Sequence, residues 1–206
     1  SGLIPADVVT RAEDAAWKCL GVDRDDPSTW GDRPEGHPAF ESADMVACYT
    51  PELLAAASQL GEGDPQPTLF GAPRSAYCIH TFPTDGEWTP GGPHLDHSIK
   101  EHGHKTFPHA FRLASMLFLN DVEQHGGGTL VWPGSHRKVM ALARSDPQAY
   151  EYMWELARGV REHVDMGDPV ETTPSAGDVV FYHFLCGHSG SMNVRATPRL
   201  AMNRKW

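Results

Sequence analysis

Ser175-Ala176-Gly177-Asp178-Val179-Val180-Phe181-Tyr182-His183, continued by Phe184-Leu185-Cys186-Gly187-His188-Ser189-Gly190, is the stretch that decides how this chain reads. A turn of small residues opens it, and a strong strand-forming run follows over Asp178–His183. A histidine then stands just beyond the strand, at His188. Four further runs of the same texture lie between Gly/Pro turns: Ala76–Phe82, Arg112–Asn120, Thr129–Pro133 and Leu200–Trp206. Several short strands separated by turns predict a sandwich or barrel.

Ahead of these strands the texture is helical. Val8, Val9, Ala12, Ala15, Ala16 and Leu20 recur at helical spacing behind Pro5, so a helix is expected over 5–20, ended by Gly21. Residues 22–40 are rich in Pro, Gly and Asp and read as a structured loop, anchored by Trp30. A second helix is expected over 50–60, with Thr50 as N-cap, Pro51 in the first turn and Gly61 as its stop. A single helical insert, roughly 140–159, separates the third and fourth strand runs. Residues 1–206 therefore read as one domain, with a helical part over about 1–66 and a β core over about 67–206. The native chain is expected to extend beyond these residues at one or both ends, with Ser1 a non-native leading residue.

Composition narrows the partners. The 206 residues are 40% hydrophobic and 21% charged, as in an ordinary globular protein. The formal net charge of -10 argues against broad binding to nucleic acid or an anionic membrane surface. No apolar run approaches the roughly 18 residues that span a bilayer. Cys19, Cys48, Cys78 and Cys186 form no CxxC pair and read as reduced thiols, which together with the lack of a signal-like start makes a cytoplasmic location the expectation. A small molecule is the expected partner, and oligomeric state is not readable.

The chemistry is carried by His94-Leu95-Asp96. At a strand end, residues i and i+2 point to one side, so the imidazole and the carboxylate converge. A third ligand must come from another strand, and His188 is the candidate. Two histidines and one carboxylate on one face leave three coordination positions open and suit Fe(II). Arg199 follows His188 by eleven residues. A guanidinium grips a carboxylate through two parallel bonds, so Arg199 is the candidate anchor for an anionic cosubstrate.

HxD alone is common, and the chain has 12 histidines. The ordered set is more specific: Gly91-Gly92-Pro93 before HxD, then Gly127-Gly128-Thr129-Leu130-Val131-Trp132-Pro133-Gly134-Ser135-His136, then Ser175–Phe181, His188 and Arg199. In this order the chain resembles the phytanoyl-CoA dioxygenase family of Fe(II)/2-oxoglutarate oxygenases over roughly 75–206. The Asp-Pro-Ser-Thr-Trp stretch at 26–30 also resembles the family's N-terminal region. The resemblance implies a mostly β fold with flanking helices, built on a double-stranded β-helix (jelly-roll, cupin-like) core. It implies His94, Asp96 and His188 as iron ligands and Arg199 on the distal carboxylate of 2-oxoglutarate. With O2, the products would be succinate, CO2 and an oxidised substrate, most simply a hydroxylated one. Thr129, Ser115 and His80 are further candidates for cosubstrate contact. Met116 falls where relatives often carry Trp. The carboxylate of Asp96 argues against halogenation, because related halogenases carry a small residue there.

Two other readings stay open at this point. One is a non-catalytic metal- or 2-oxoglutarate-binding sensor, which a broken triad or a lost arginine would mark. The other is a cupin-type metalloenzyme without cosubstrate, which would use more His ligands and no anchoring Arg. Beyond Arg195, Arg199, Arg204 and Lys205 no basic cluster is evident, so a small metabolite or natural-product intermediate is expected rather than a bulky CoA ester. Residues 97–109, with four histidines, read as a polar loop over the cavity mouth, with a second metal site as the sharper alternative. Gly126-Gly127-Gly128 reads as a tight turn, and Trp132 as a core residue.

Overall fold

The computed structural model describes residues 3–62 and 70–206. Ser1 and the expected boundary at 66/67 lie outside the described residues.

Helix α1 (Ala6–Leu20) forms where the apolar spacing predicts it, and buries Val9, Ala12, Ala16, Trp17 and Leu20 on one face. Gly21 ends it in the left-handed conformation, φ 71°, which costs glycine nothing. The loop behind it is organised by Trp30. Its Nε1 donates to the Asp23 carbonyl at 2.8 Å, and its ring lies 6.2 Å from Trp17 and 5.4 Å from Phe82. Strand β1 (Ala39–Phe40) and the one-turn helix α2 (Ala43–Val46) follow, neither anticipated from sequence.

Helix α3 (Pro51–Glu62) is capped by Thr50, whose hydroxyl accepts from the Leu53 amide at 3.2 Å. Gly61 does not stop this helix but lies within it. A Cβ there would stand 3.1 Å from Leu113 Cδ2, so the glycine lets the helix pack closely on the sheet.

The remaining elements are β2 (Ala76–Thr81), β3 (Leu113–Phe118), β4 (Leu130–Val131), α4 (Ser135–Ser145), α5 (Met153–His163), β5 (Val170–Glu171), β6 (Val179–His183), β7 (His188–Ser189) and β8 (Arg199–Lys205). The single insert expected at 140–159 is two helices, α4 and α5. Asp146 and Pro147 explain the break: the Asp146 carboxylate accepts from the amides of Gln148 and Ala149 and so starts a turn, and proline cannot continue the i to i−4 ladder. Among the described residues the five helices hold more residues than the eight strands. The chain is sheet-centred but mixed, rather than mostly β.

All strand pairing is antiparallel. One sheet has the order β1-β2-β8-β3-β6, the other β5-β4-β7. Behind the larger sheet, α1, α2 and α3 close a core that includes Leu53, Cys78, Leu113, Leu117, Leu200, Met202 and Trp206. Behind the smaller sheet, α4 and α5 cover a second core with Leu95, Leu130, Trp132, Leu156 and Leu185. Gly128 is needed where β4 meets residue 172, because any Cβ would collide with the Thr172 carbonyl oxygen. No helix among the described residues is long and apolar enough to cross a membrane.

Candidate metal centre

His94 and His188 face each other across an antiparallel bridge. The His94 amide donates to the His188 carbonyl at 3.0 Å, and the His188 amide donates back at 3.3 Å. The close approach depends on Gly91, where a side chain would strike Ser189 Oγ and the Gly190 carbonyl. The HxD pair therefore sits on one bridge residue and a turn, not in a regular strand, but the convergence is the expected one. Ligand atoms of His94, Asp96 and His188 all lie within 4.8 Å of one another. Among the described residues this is the one group of three or more His, Cys, Asp or Glu close enough to hold a metal ion.

The protonation pattern suits that role. His188 Nδ1 lies 3.0 Å from the Cys186 carbonyl, an acceptor, which selects the tautomer with the proton on Nδ1 and turns Nε2 to the site. That Nε2 is 3.7 Å from Asp96 Oδ2. Burial, followed by the neighbouring His188, lowers the pKa of His94 and keeps it neutral. Two imidazole nitrogens and one carboxylate oxygen, with the remaining directions open to a cavity, fit Fe(II).

The cavity measures about 280 Å³ and is lined from both sheets, a size that suits a small ligand. From the smaller sheet and its turns come Thr129, His188 and Ser189, and from the larger sheet Tyr77, Ile79, Thr81, Met116, Tyr182, Arg199, Asn203 and Lys205. Arg199 is only 3% exposed, yet among the described residues no carboxylate pairs with it. Its Nη2 donates to Thr81 Oγ1 at 2.7 Å, its Nη1 approaches Thr129 Oγ1 at 3.4 Å, and its Nε has no partner. Burial lowers its pKa to about 10, so it remains a cation at neutral pH. A buried, uncompensated cation costs several kcal/mol, and an anionic ligand would remove that cost.

Strand alternation sorts the other candidates. Thr129 lines the cavity beside Arg199. His80 does not: Tyr77, Ile79 and Thr81 occupy the cavity side of β2, and His80 packs against Phe82 and His37 at 5.6 and 5.8 Å. Ser115 is likewise on the core side of β3, where its hydroxyl accepts from Trp206 Nε1 at 2.9 Å. Its neighbour Met116 faces the cavity instead. His80 and Ser115 thus do not line the cavity, and each lies one residue from a position that does. Sequence reasoning missed Thr81, Asn203, Lys205 and Tyr182. Counting by twos from Arg199 along β8 would have found Asn203 and Lys205.

The 97–109 loop does not line this cavity. It is fastened to the start of α5 by Lys105–Glu151 at 2.8 Å and by the Thr106 amide on the Glu151 carbonyl. His97 stacks on His104 at 4.0 Å and His109 on Phe184 at 4.6 Å. A second cavity of about 500 Å³ lies behind the smaller sheet, against α5, and includes Leu95, Trp132, Val160 and Met166.

The chain is similar to known proteins in sequence and in fold. Residues 40–201 match the family model described as phytanoyl-CoA dioxygenase (PhyH). No curated protein gives a significant sequence match. Among solved structures, the non-heme alpha-ketoglutarate-dependent epimerase SnoN from nogalamycin biosynthesis is 18% identical, with 98% of this chain and 73% of that chain covered at a TM-score of 0.58. The carbocyclase SnoK from the same biosynthesis is 21% identical, with 97% and 74% covered at 0.58. AviO1 from Streptomyces viridochromogenes Tue57 is 15% identical, with 99% and 86% covered at 0.57. At these identities the likeness is one of fold.

Proposed function

The chain belongs to the phytanoyl-CoA dioxygenase family, and from that premise we propose that it is an Fe(II)- and 2-oxoglutarate-dependent oxygenase acting on a small molecule. The observation that carries the reading is a single cavity holding both the His94/Asp96/His188 donor group and the buried, carboxylate-free guanidinium of Arg199. A sensor could share both features, but a cupin-type enzyme without cosubstrate has no use for the arginine. A SnoN structure in complex with Fe3+ and alpha-ketoglutarate supports the choice of groups.

Iron and 2-oxoglutarate, when bound, would supply oxidation by O2 coupled to decarboxylation, giving succinate and CO2. The chain's own residues do the rest. His94 and His188 offer lone pairs because burial keeps one neutral and the Cys186 carbonyl fixes the tautomer of the other. Arg199 holds the far carboxylate of 2-oxoglutarate, with Thr81 and Thr129 orienting its fork. Ile79, Met116 and Tyr182 provide walls that exclude water. The substrate reaction is hydroxylation of an unactivated C–H bond in a metabolite or natural-product intermediate. We read the two sheets as a double-stranded β-helix and residues 1–206 as one catalytic domain, since the cavity draws residues from His37 to Lys205.

Protein loaded with Fe(II) without oxygen, given 2-oxoglutarate and then O2, should form succinate slowly without added substrate. Asp96→Ala should abolish it. Absence of both succinate and 2-oxoglutarate binding in the parent protein would sink the reading. Once a substrate is found, a product heavier by one oxygen atom separates hydroxylation from epimerisation or ring closure.

A further inference from the structure

We propose that Lys205 is a positioning residue for Asp96, holding one carboxylate oxygen away from the metal so that only the other is presented to it. The proposal rests on the metal reading above. It starts from the two oxygens of Asp96, which face different partners. Oδ2 is 3.7 Å from His188 Nε2, on the side of the donor group. Oδ1 is 3.3 Å from Lys205 Nζ.

Lys205 reaches this position by two constraints. It ends β8, in register with Ala114, on the strand face that also presents Arg199 and Asn203 to the cavity. Its ammonium lies 5.3 Å from the ring centre of Phe111, within reach of a cation–π attraction. Both charged groups are partly shielded, with side chains 33% and 17% exposed for Lys205 and Asp96.

The consequence follows from carboxylate chemistry. A free carboxylate can bind a metal through one oxygen or through both. Binding through both would take a position that a chelating 2-oxo acid or O2 needs. An ammonium on Oδ1 disfavours the two-oxygen mode, because that oxygen would have to leave its ion pair. Lysine acts here as a compact point charge with rotatable donors, which suits one oxygen rather than a planar pair.

Co(II) serves as the probe, since its ligand-field absorption reports coordination number. Wild type and Lys205→Met, which keeps an unbranched side chain without the charge, should both bind Co(II). Before any cosubstrate is added, the Met variant should show weaker bands, shifted as expected for one more ligand. Its affinity for 2-oxoglutarate should fall roughly tenfold, the scale typical of losing an outer partner of a ligand. Lys205→Arg, which retains the cation but offers a planar fork, should restore both signals only in part. An unchanged cobalt spectrum in the Met variant overturns the proposal. If 2-oxoglutarate affinity falls while that spectrum stays put, Lys205 touches the cosubstrate instead of positioning Asp96. If wild type binds no Co(II), or binds it equally after Asp96→Ala, the metal reading itself fails, and the proposal with it.

Discussion

The two faces of β8 alternate residue by residue and have opposite characters. Leu200 and Met202 point into the core under α1 and α3, fully buried and apolar. Arg199, Asn203 and Lys205 point the other way, into the cavity between the sheets. One face carries stability; the other carries a cation that stability alone would not keep. The same division runs through β2, where Cys78 and His80 oppose Ile79 and Thr81, and through β3, where Ser115 and Leu117 oppose Met116. A one-residue shift in these strands therefore exchanges a packing role for a chemical one.

Substitutions on opposite faces should separate the two roles. Leu200→Ala should destabilise the fold by about 2–5 kcal/mol, as deletion of a fully buried leucine does, while the protein that remains folded binds 2-oxoglutarate normally. Denaturant unfolding and calorimetric titration read the two quantities. Arg199→Met should do the reverse. Loss of charged hydrogen bonds worth about 3 kcal/mol weakens 2-oxoglutarate binding roughly a hundredfold, with stability unchanged or raised. If Arg199→Met unfolds the protein instead, the two-face account is wrong.

A finer pair tests single hydroxyls. Ser115→Ala removes the acceptor of Trp206 Nε1 and should cost about 1 kcal/mol of stability with no change in cosubstrate affinity. Thr81→Val removes the hydroxyl on Arg199 and should weaken cosubstrate binding several-fold with little change in melting temperature. A pH-dependent effect concerns His80, which burial holds neutral, its pKa lowered to about 4 from 6.5. As pH falls below 6.5 the unfolded chain takes up a proton that the folded chain refuses, so stability drops between pH 6.5 and 4 and this contribution levels off below. His80→Phe should shrink that drop in melting temperature and leave 2-oxoglutarate affinity at neutral pH intact.

Sequence carried the argument furthest where a pattern is local. The strand runs, α1 and its Gly21 stop, the Thr50 cap and the HxD pair are all readable from neighbours. The spacing of Arg199 from His188 likewise singled out a residue that lines the same cavity. Side-chain facing was less legible: His80 and Ser115 are plausible by type, but which residues of β2 and β3 face inward depends on register with β8, and register is fixed by packing across the sheet. Short strands such as β1, β5 and β7, two residues each, leave almost no propensity signal. The Lys205–Asp96 contact joins residues more than a hundred positions apart and follows only once β8 and the HxD turn are brought together.

The bridge between His94 and His188 also bears on how the molecule comes into being. It closes a loop of some ninety residues, and β8, which supplies the arginine and the lysine, pairs with β2 more than a hundred residues earlier. Pairings of such long range form late and slowly. During synthesis the donor group cannot assemble until the strand containing His188 has left the ribosome, and Arg199, the proposed anchor for the cosubstrate, emerges later still. Metal uptake at this site is then a report on the pairing of these distant strands, and a chain that stops short of His188 offers iron no completed place to bind.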